Sequence, residues 1–351
     1  MFVINLDKDK YLYSRKKSKN KLKKTGERRL VLEDSVIRFL SQELRSILRK
    51  VDAGVMRTVE EIRLRANKPL MMQNCYGDWF VGKDGSLTQA KENLYVVEQG
   101  EILKTLELMS ENSVYAFQEE IKNGFITLRG GHRIGITGRA VLDGNNVKNI
   151  KDISGMNIRL AREIPGCAAK VMEYILKGTK DVYNTLIISP PQCGKTTMLR
   201  DIARSISDGM DELGFKGLKV GIVDERSEIA ACYKGVPQNK VGVRTDVLDG
   251  CPKSVGLAMM IRSMSPQVIV TDEIGCQGDR DALMRVLNAG VKIITSAHGY
   301  NISEFKSRQE ILSLIDARIF ERYIVLSSSD GPGTLEEVVD GLTMKVMYRR
   351  G

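Results

Sequence analysis

Residues 189–197 read Ser189-Pro190-Pro191-Gln192-Cys193-Gly194-Lys195-Thr196-Thr197, directly after the apolar run Thr185-Leu186-Ile187-Ile188. The pattern G-x-x-x-x-G-K-[ST] is met at every position but the first, where Ser189 stands for glycine. Its chemistry is the wrapping of a polyphosphate. Backbone N–H groups turn inward, Gly194 lets the main chain come close, and the helix starting there adds its positive dipole end. All nine residues are therefore expected at the phosphates of a nucleotide. Lys195 is expected to reach the β- and γ-phosphates and Thr196 to offer its hydroxyl to Mg²⁺. Pro190 and Pro191 stiffen the loop at positions that need not donate. Ser189 is a departure that bears on the backbone torsion at the loop entry. ATP and Mg²⁺ are the implied cofactors.

Carboxylates gather at two other points. Val268-Ile269-Val270-Thr271-Asp272-Glu273 is an apolar strand ending in two acids, and the carboxyl end of a parallel strand is where an α/β sheet binds ligands. Asp272 is expected to hold Mg²⁺, usually through water, and Glu273 to orient the attacking water. Gly221-Ile222-Val223-Asp224-Glu225-Arg226 ends the same way. It reads as a strand that neighbours the phosphate loop, with Glu225, and Asp224 after it, in the water or metal shell. A salt bridge to Arg226 is the other reading of these acids. A third strand, Val291–Ser296, leads to Ala297-His298-Gly299. His298 at its tip is either a structural histidine or a hydrogen-bonding sensor of the γ-phosphate.

These residues need a scaffold that brings several strand ends to one edge. After residue 183 short apolar strands alternate with helices. Strands fit 185–188, 219–223, 267–271, 291–296, 322–326 and a last one near 343–348; helices fit 195–208, 253–263, 278–289 and 304–314. That alternation predicts an α/β core with a mostly parallel, buried sheet. Residues 30–165 mix an amphipathic helix over 36–51, helices at 98–111 and 113–122, and short strands at 61–65, 70–73, 124–128, 133–141 and 147–150, an α+β pattern. Asp143-Gly144 marks a hairpin turn. The expected organisation is a disordered basic arm over 1–29, a smaller α+β N-terminal domain over 30–165 and a P-loop ATPase core over 166–351.

The net charge of +10 is concentrated in the arm, where eleven Lys/Arg face three Asp/Glu; the rest has 43 basic and 41 acidic residues. A near-neutral body with 6% aromatics does not advertise a base-stacking surface. Nucleic acid is therefore not expected as a partner, and a nucleic-acid-stimulated ATPase is the secondary reading. No apolar run long enough to span a membrane occurs, nor a secretory signal. The six cysteines are scattered with no CxxC pair. Zinc is not expected, and a reducing cytoplasm suits them.

The phosphate loop, Ile222–Ile229, Val241–Lys253 and Ile261–Gly275 closely resemble the stage III sporulation protein AA family, in the secretion-type branch of the AAA-like ATPases. The likeness runs from about residue 33 to the end. It implies a RecA-type core with a smaller N-terminal domain, assembled as a homo-hexamer. It also implies an ATP-hydrolysing motor that powers a mother cell–forespore channel during endospore formation. Such a motor acts from the mother-cell cytoplasm beneath membrane channel proteins of the sporulation complex. In similar ATPases of secretion and pilus assembly an acidic box follows the second core strand, matching Asp224–Glu225, and a histidine box the fourth, matching His298. Such rings also bring arginines to the γ-phosphate from the N-terminal domain, each worth about 10³–10⁵ in rate. Arg129, Arg133, Arg139, Arg159 and Arg162 are the candidates, with Arg244 and Arg262 further ones from the core.

Overall fold

The computed structural model describes residues 36–74, 77–110, 117–122, 124–161, 163–275, 278–306 and 318–351. The arm 1–29, Arg162 and most of the helix expected over 304–314 lie outside the described residues. The chain divides into two units between Ala161 and Arg162. No described helix is long and apolar enough to cross a membrane.

In the first unit the amphipathic stretch 36–51 is not one helix. A 3₁₀ turn at Ile37–Phe39 precedes α1 (Gln42–Leu48), and α2 (Ala53–Met56) follows. Ser41 causes the restart. Its backbone is extended and its side chain accepts from the Leu44 N–H, an N-cap that begins a new helix rather than continuing the old one. The helical spacing still serves the core, burying Leu44, Ile47 and Leu48. Strands β1 (Val59–Arg65), β2 (Met71–Asn74), β3 (Gly77–Val81) and β4 (Leu87–Thr88) come next, then helices α3 (Gln99–Met109) and α4 (Gln118–Lys122). Strands β5 (Phe125–Thr127), β6 (Arg133–Asp143) and β7 (Asn146–Arg159) complete an antiparallel sheet of order β4-β3-β2-β1-β7-β6-β5. β7 is far longer than the expected 147–150. Its second half pairs Ile158 with Ile134 and Met156 with Ile136, and these four apolar residues are buried on the core face.

The second unit holds α5 (Ala169–Ile175), β8 (Thr185–Ser189), α6 (Lys195–Asp208), β9 (Val220–Asp224), β10 (Thr245–Asp249) and α7 (Lys253–Met264). β11 (Val268–Thr271), α8 (Asp279–Asn288), β12 (Lys292–His298) and α9 (Ile302–Lys306) follow, then β13 (Arg322–Ser327), β14 (Thr334–Asp340) and β15 (Val346–Arg349). The sheet order is β10-β9-β11-β12-β8-β13-β14-β15. The first six strands are parallel and the last two antiparallel.

Every residue of β8 is buried, because helices cover both faces. Ile187 joins Met198, Ile202 and Ile206 of α6 on one side. Leu186 and Ile188 join Leu257 of α7 and Leu283 of α8 on the other. Period-two alternation between two apolar cores explains the near-continuous apolar strands.

The order corrects one expectation. β9 does not neighbour the phosphate-loop strand; β11 and β12 stand between them. β11 is not adjacent to β8 either, since β12 and its terminal His298 intervene. Parallel pairing nevertheless sends the carboxyl ends of β8, β12, β11 and β9, four neighbouring strands, to one edge, with His298 at the tip of β12 between the phosphate loop and the end of β11.

Candidate functional site

The phosphate-loop pattern folds as a left-handed nest. Gln192 has φ +60° and Gly194 φ +80°, and Gly194 is the N-cap of α6. Alternation through left-handed residues turns successive N–H groups into one concavity. Gly194 is required twice over: a Cβ there would sit in a disfavoured conformation and lie 3.2 Å from the Gly333 nitrogen and 3.3 Å from Pro332 Cβ. Gly333 also donates its N–H to the Cys193 carbonyl at 2.9 Å, so the β13–β14 turn backs the loop. Ser189 ends β8 and is not among the residues with positive φ. Its non-glycine side chain therefore strains nothing, and its hydroxyl donates to the Pro190 carbonyl at 3.0 Å.

Lys195, the first residue of α6, is 7% exposed. Its ammonium donates to the carbonyls of Ser189 and Pro190, both at 3.1 Å, and lies 2.8 Å from His298 Nδ1. Glu273 Oε1 is 3.9 Å away, and His298 Nε2 contacts that same oxygen. Burial draws the Lys195 ammonium below the usual lysine range, with the Glu273 charge opposing. Lys195, His298 and Glu273, from three strand ends, thus form one contact group. Thr196 and Thr197 are half-buried on the first turn of α6.

Asp272 is 6% exposed, and its Oδ1 has no hydrogen-bond partner. Burial pushes its carboxyl up to about 6; Lys253 opposes the rise, and Asp224, Glu228 and Glu225 add to it. Its main-chain carbonyl accepts from the Thr295 hydroxyl at 2.9 Å, tying the end of β11 to β12. Glu225 is exposed, with Oε2 3.7 Å from Lys253 Nζ. Its ion pair is with Lys253, whereas Arg226 reaches Glu273 Oε2 at 3.6 Å. Asp224 is fully buried and its two oxygens accept the N–H groups of Glu228 and Ala230 at 2.9 and 2.8 Å. It staples the loop after β9, which removes it from the expected metal shell.

The arginines divide by unit. Arg129 is exposed in the turn after β5, Arg133 stacks 3.8 Å from the Phe125 ring, Arg139 pairs with Asp152 at 2.8 Å and Arg159 with Glu61 at 3.3 Å. Arg244 caps the far end of α6 through the carbonyls of Ser207 and Asp208. That is about 20 Å along the helix from Lys195. Arg262 donates to Ala258 in the last turn of α7, at the end away from Lys253. Neither core arginine serves its own chain's phosphate loop.

The sequence pattern of the family described as "Sporulation stage III, protein AA" matches residues 31–346. The chain belongs to this sporulation stage III protein AA family. It is 41% identical over 307 residues to stage III sporulation protein AA of Bacillus subtilis (strain 168), covering 88% of this chain and 95% of that protein. Two solved structures share the fold. The ATPase DotB of Legionella pneumophila aligns with a TM-score of 0.50 and 14% identity over 78% of this chain and 74% of its own. DotB of Yersinia pseudotuberculosis gives 0.51 and 12% over 86% and 80%. The family's architecture here is thus a RecA-type P-loop NTPase core with a smaller α+β unit before it.

In this family member the residues fit a magnesium–nucleotide complex. Among the described residues no three His, Cys, Asp or Glu side chains converge into a ready-made metal cage. Mg²⁺ does not need one, being held by one or two carboxylates together with waters and substrate phosphates, and Asp272 Oδ1, which accepts no hydrogen bond, could serve as such an oxygen. Lys253 was missed by motif reading. It touches Glu225 and Asp272 and donates to the Glu273 carbonyl. A signal existed: a cation at the first position of a helix, after Pro252, stands against the helix dipole. The Gly331-Pro332-Gly333 turn was also missed as a neighbour of Gly194, because the parallel β8–β13 pairing that brings it there leaves no local trace.

Proposed function

We propose that this protein is an ATP-hydrolysing motor. The observation that carries the reading is the left-handed nest at the start of α6, with the Lys195 ammonium held on the Ser189 and Pro190 carbonyls at the loop entry and Glu273 within 3.9 Å. In this reading the loop amides of 189–197 and Lys195 take the polyphosphate. Thr196 and Asp272 hold Mg²⁺, which when bound neutralises developing phosphate charge. Glu273, with His298 beside it, orients the attacking water; Glu225 contributes to the outer acidic shell. Phosphoryl transfer asks for positioning and charge neutralisation more than for covalent chemistry.

The finer reading is that the motor works as a homo-hexamer in the mother-cell cytoplasm and powers a mother cell–forespore channel through membrane partners. Family membership and the shared fold with the DotB ATPases support it. In this reading the α+β domain over 30–165 supplies finger charge, from among Arg129, Arg133, Arg139, Arg159 and Arg162, to a P-loop core over 166–351. Replacing the operating finger lowers turnover and leaves nucleotide affinity intact.

The test is binding of a fluorescent ATP analogue to wild type and Lys195→Ala, with turnover followed across protein concentration. Tight binding lost in the variant, and specific activity that rises with concentration, are expected. Equal affinity in the two proteins would remove the site; concentration-independent turnover would remove the ring.

A further inference from the structure

Lys253 is a buried cation where the local backbone disfavours one. It opens α7, whose unpaired N–H groups carry partial positive charge, and it is 8% exposed. A buried ammonium persists when charge and hydrogen bonds surround it. Here two strand ends supply them. Glu225, after β9, stands 3.7 Å away, as does Asp272 Oδ1 after β11, and the Glu273 carbonyl accepts its hydrogen bond. The helix cannot drift from this position. A Cβ at Gly256 would lie 2.6 Å from Val223 Cγ1, and one at Gly221 2.7 Å from Met260 Cγ, so α7 is pressed against β9 at two glycines.

We propose that Lys253 is the built-in counter-ion of the acidic edge, a positioning residue that stands in for a divalent cation at Asp272 until a nucleotide brings one. The inference rests on the nucleotide site proposed above. With the ammonium in place, Asp272 and Glu225 hold together without metal. A free divalent ion placed on Asp272 Oδ1 would meet a positive charge 3.7 Å from that same oxygen, and like charges at such range repel by more than thermal energy even in a polar medium. A triphosphate carries enough negative charge to offset this. Metal binding is thereby made conditional on nucleotide. Through the Glu273 carbonyl, Lys253 also fixes the main chain from which the Glu273 carboxylate reaches Lys195 and His298.

The test is Mn²⁺ binding to the full chain, read from loss of the free-ion paramagnetic resonance signal, with and without a non-hydrolysable ATP analogue. Wild type should bind Mn²⁺ well only with the analogue. Without it, Lys253→Met should bind at least about tenfold more tightly than wild type. Lys253→Arg should restore the wild-type value, and adding Asp272→Asn to Lys253→Met should abolish the gain. A folded Lys253→Met protein, checked by circular dichroism, whose Mn²⁺ affinity stays within about twofold of wild type overturns the proposal. So does a wild-type protein that binds Mn²⁺ equally tightly with and without the analogue at a site lost in Asp272→Asn, a result that needs no Lys253 variant. Binding of the fluorescent ATP analogue, measured alongside, separates the two levels. Its absence in wild type sinks the proposed function, whereas its presence together with either overturning metal result sinks only the role of Lys253.

Discussion

Replacing Asp272 by Asn should make the protein more stable near neutral pH when neither metal nor nucleotide is added. The size of the gain follows from burial. The carboxyl is 6% exposed with no hydrogen bond to Oδ1, and burial lifts its titration from 3.8 to about 6 although Lys253 opposes the rise. A carboxyl whose folded pKa is raised binds its proton more tightly in the fold than in the unfolded chain. Its contribution to stability is fully present below about pH 4, is lost as the pH rises through about 6, and is absent above that. A shift of about two units corresponds to on the order of 3 kcal/mol. Asn keeps the shape and cannot ionise. The stability difference, variant minus wild type, should therefore grow between about pH 4 and 6.5 to on the order of 2–3 kcal/mol and then level off. Urea unfolding in EDTA at intervals from pH 4 to 8, with equal m-values, reads it directly. A difference that stays flat across this range, or an Asn variant less stable above pH 6.5, would refute the argument. The second outcome would mean that the Lys253 pair outweighs desolvation.

Glu273→Gln should keep nucleotide affinity and lose turnover by about 10²–10⁴-fold, the usual worth of a positioned acid–base group; single-turnover and binding assays on the same preparation separate the two effects. Gly194→Ala forces a side chain into φ +80° against the Gly333 nitrogen, costing about 1–2 kcal/mol for the left-handed backbone alone. The urea midpoint should fall and analogue binding should weaken; an unchanged midpoint would mean that the nest relaxes freely.

The core elements were legible because periodicity is a local property. α6 spans Lys195–Asp208 as its spacing predicts, and β8, β9, β11, β12 and β13 each begin or end within two residues of expectation. β10 and β14 escaped that reading. Thr245-Asp246-Val247-Leu248-Asp249 has too many polar residues for a buried strand, and it sits at the sheet edge where burial is only partial. Strand order was not legible at all, which is why β9 was placed beside the phosphate loop. The motif acids and Lys195 could be found by type and spacing, whereas the local signal at Lys253, a cation opening a helix, does not reveal its partners until β9 and β11 are brought together under α7.

That strand order also explains the contact between phosphate loop and carboxylate. With β12 between β8 and β11, Lys195 and Glu273 come from strands that do not touch, and the side chain at the tip of β12 fills the interval. An ammonium has three N–H donors and no acceptor. Ser189, Pro190 and His298 Nδ1 stand at hydrogen-bond distance from it. Facing a donor, Nδ1 must accept, so the ring proton sits on Nε2 and is donated to Glu273. A phosphate oxygen can enter this arrangement only by replacing one of the three acceptors. If it replaces His298, the imidazole loses its reason for that tautomer and Glu273 loses a fixed donor. If it replaces either carbonyl, the turn at Ser189–Pro190 loses its internal tie. In both cases the event at the phosphate is felt within one or two hydrogen bonds of the carboxylate that would orient water, so Lys195 and Glu273 cannot be set independently of each other.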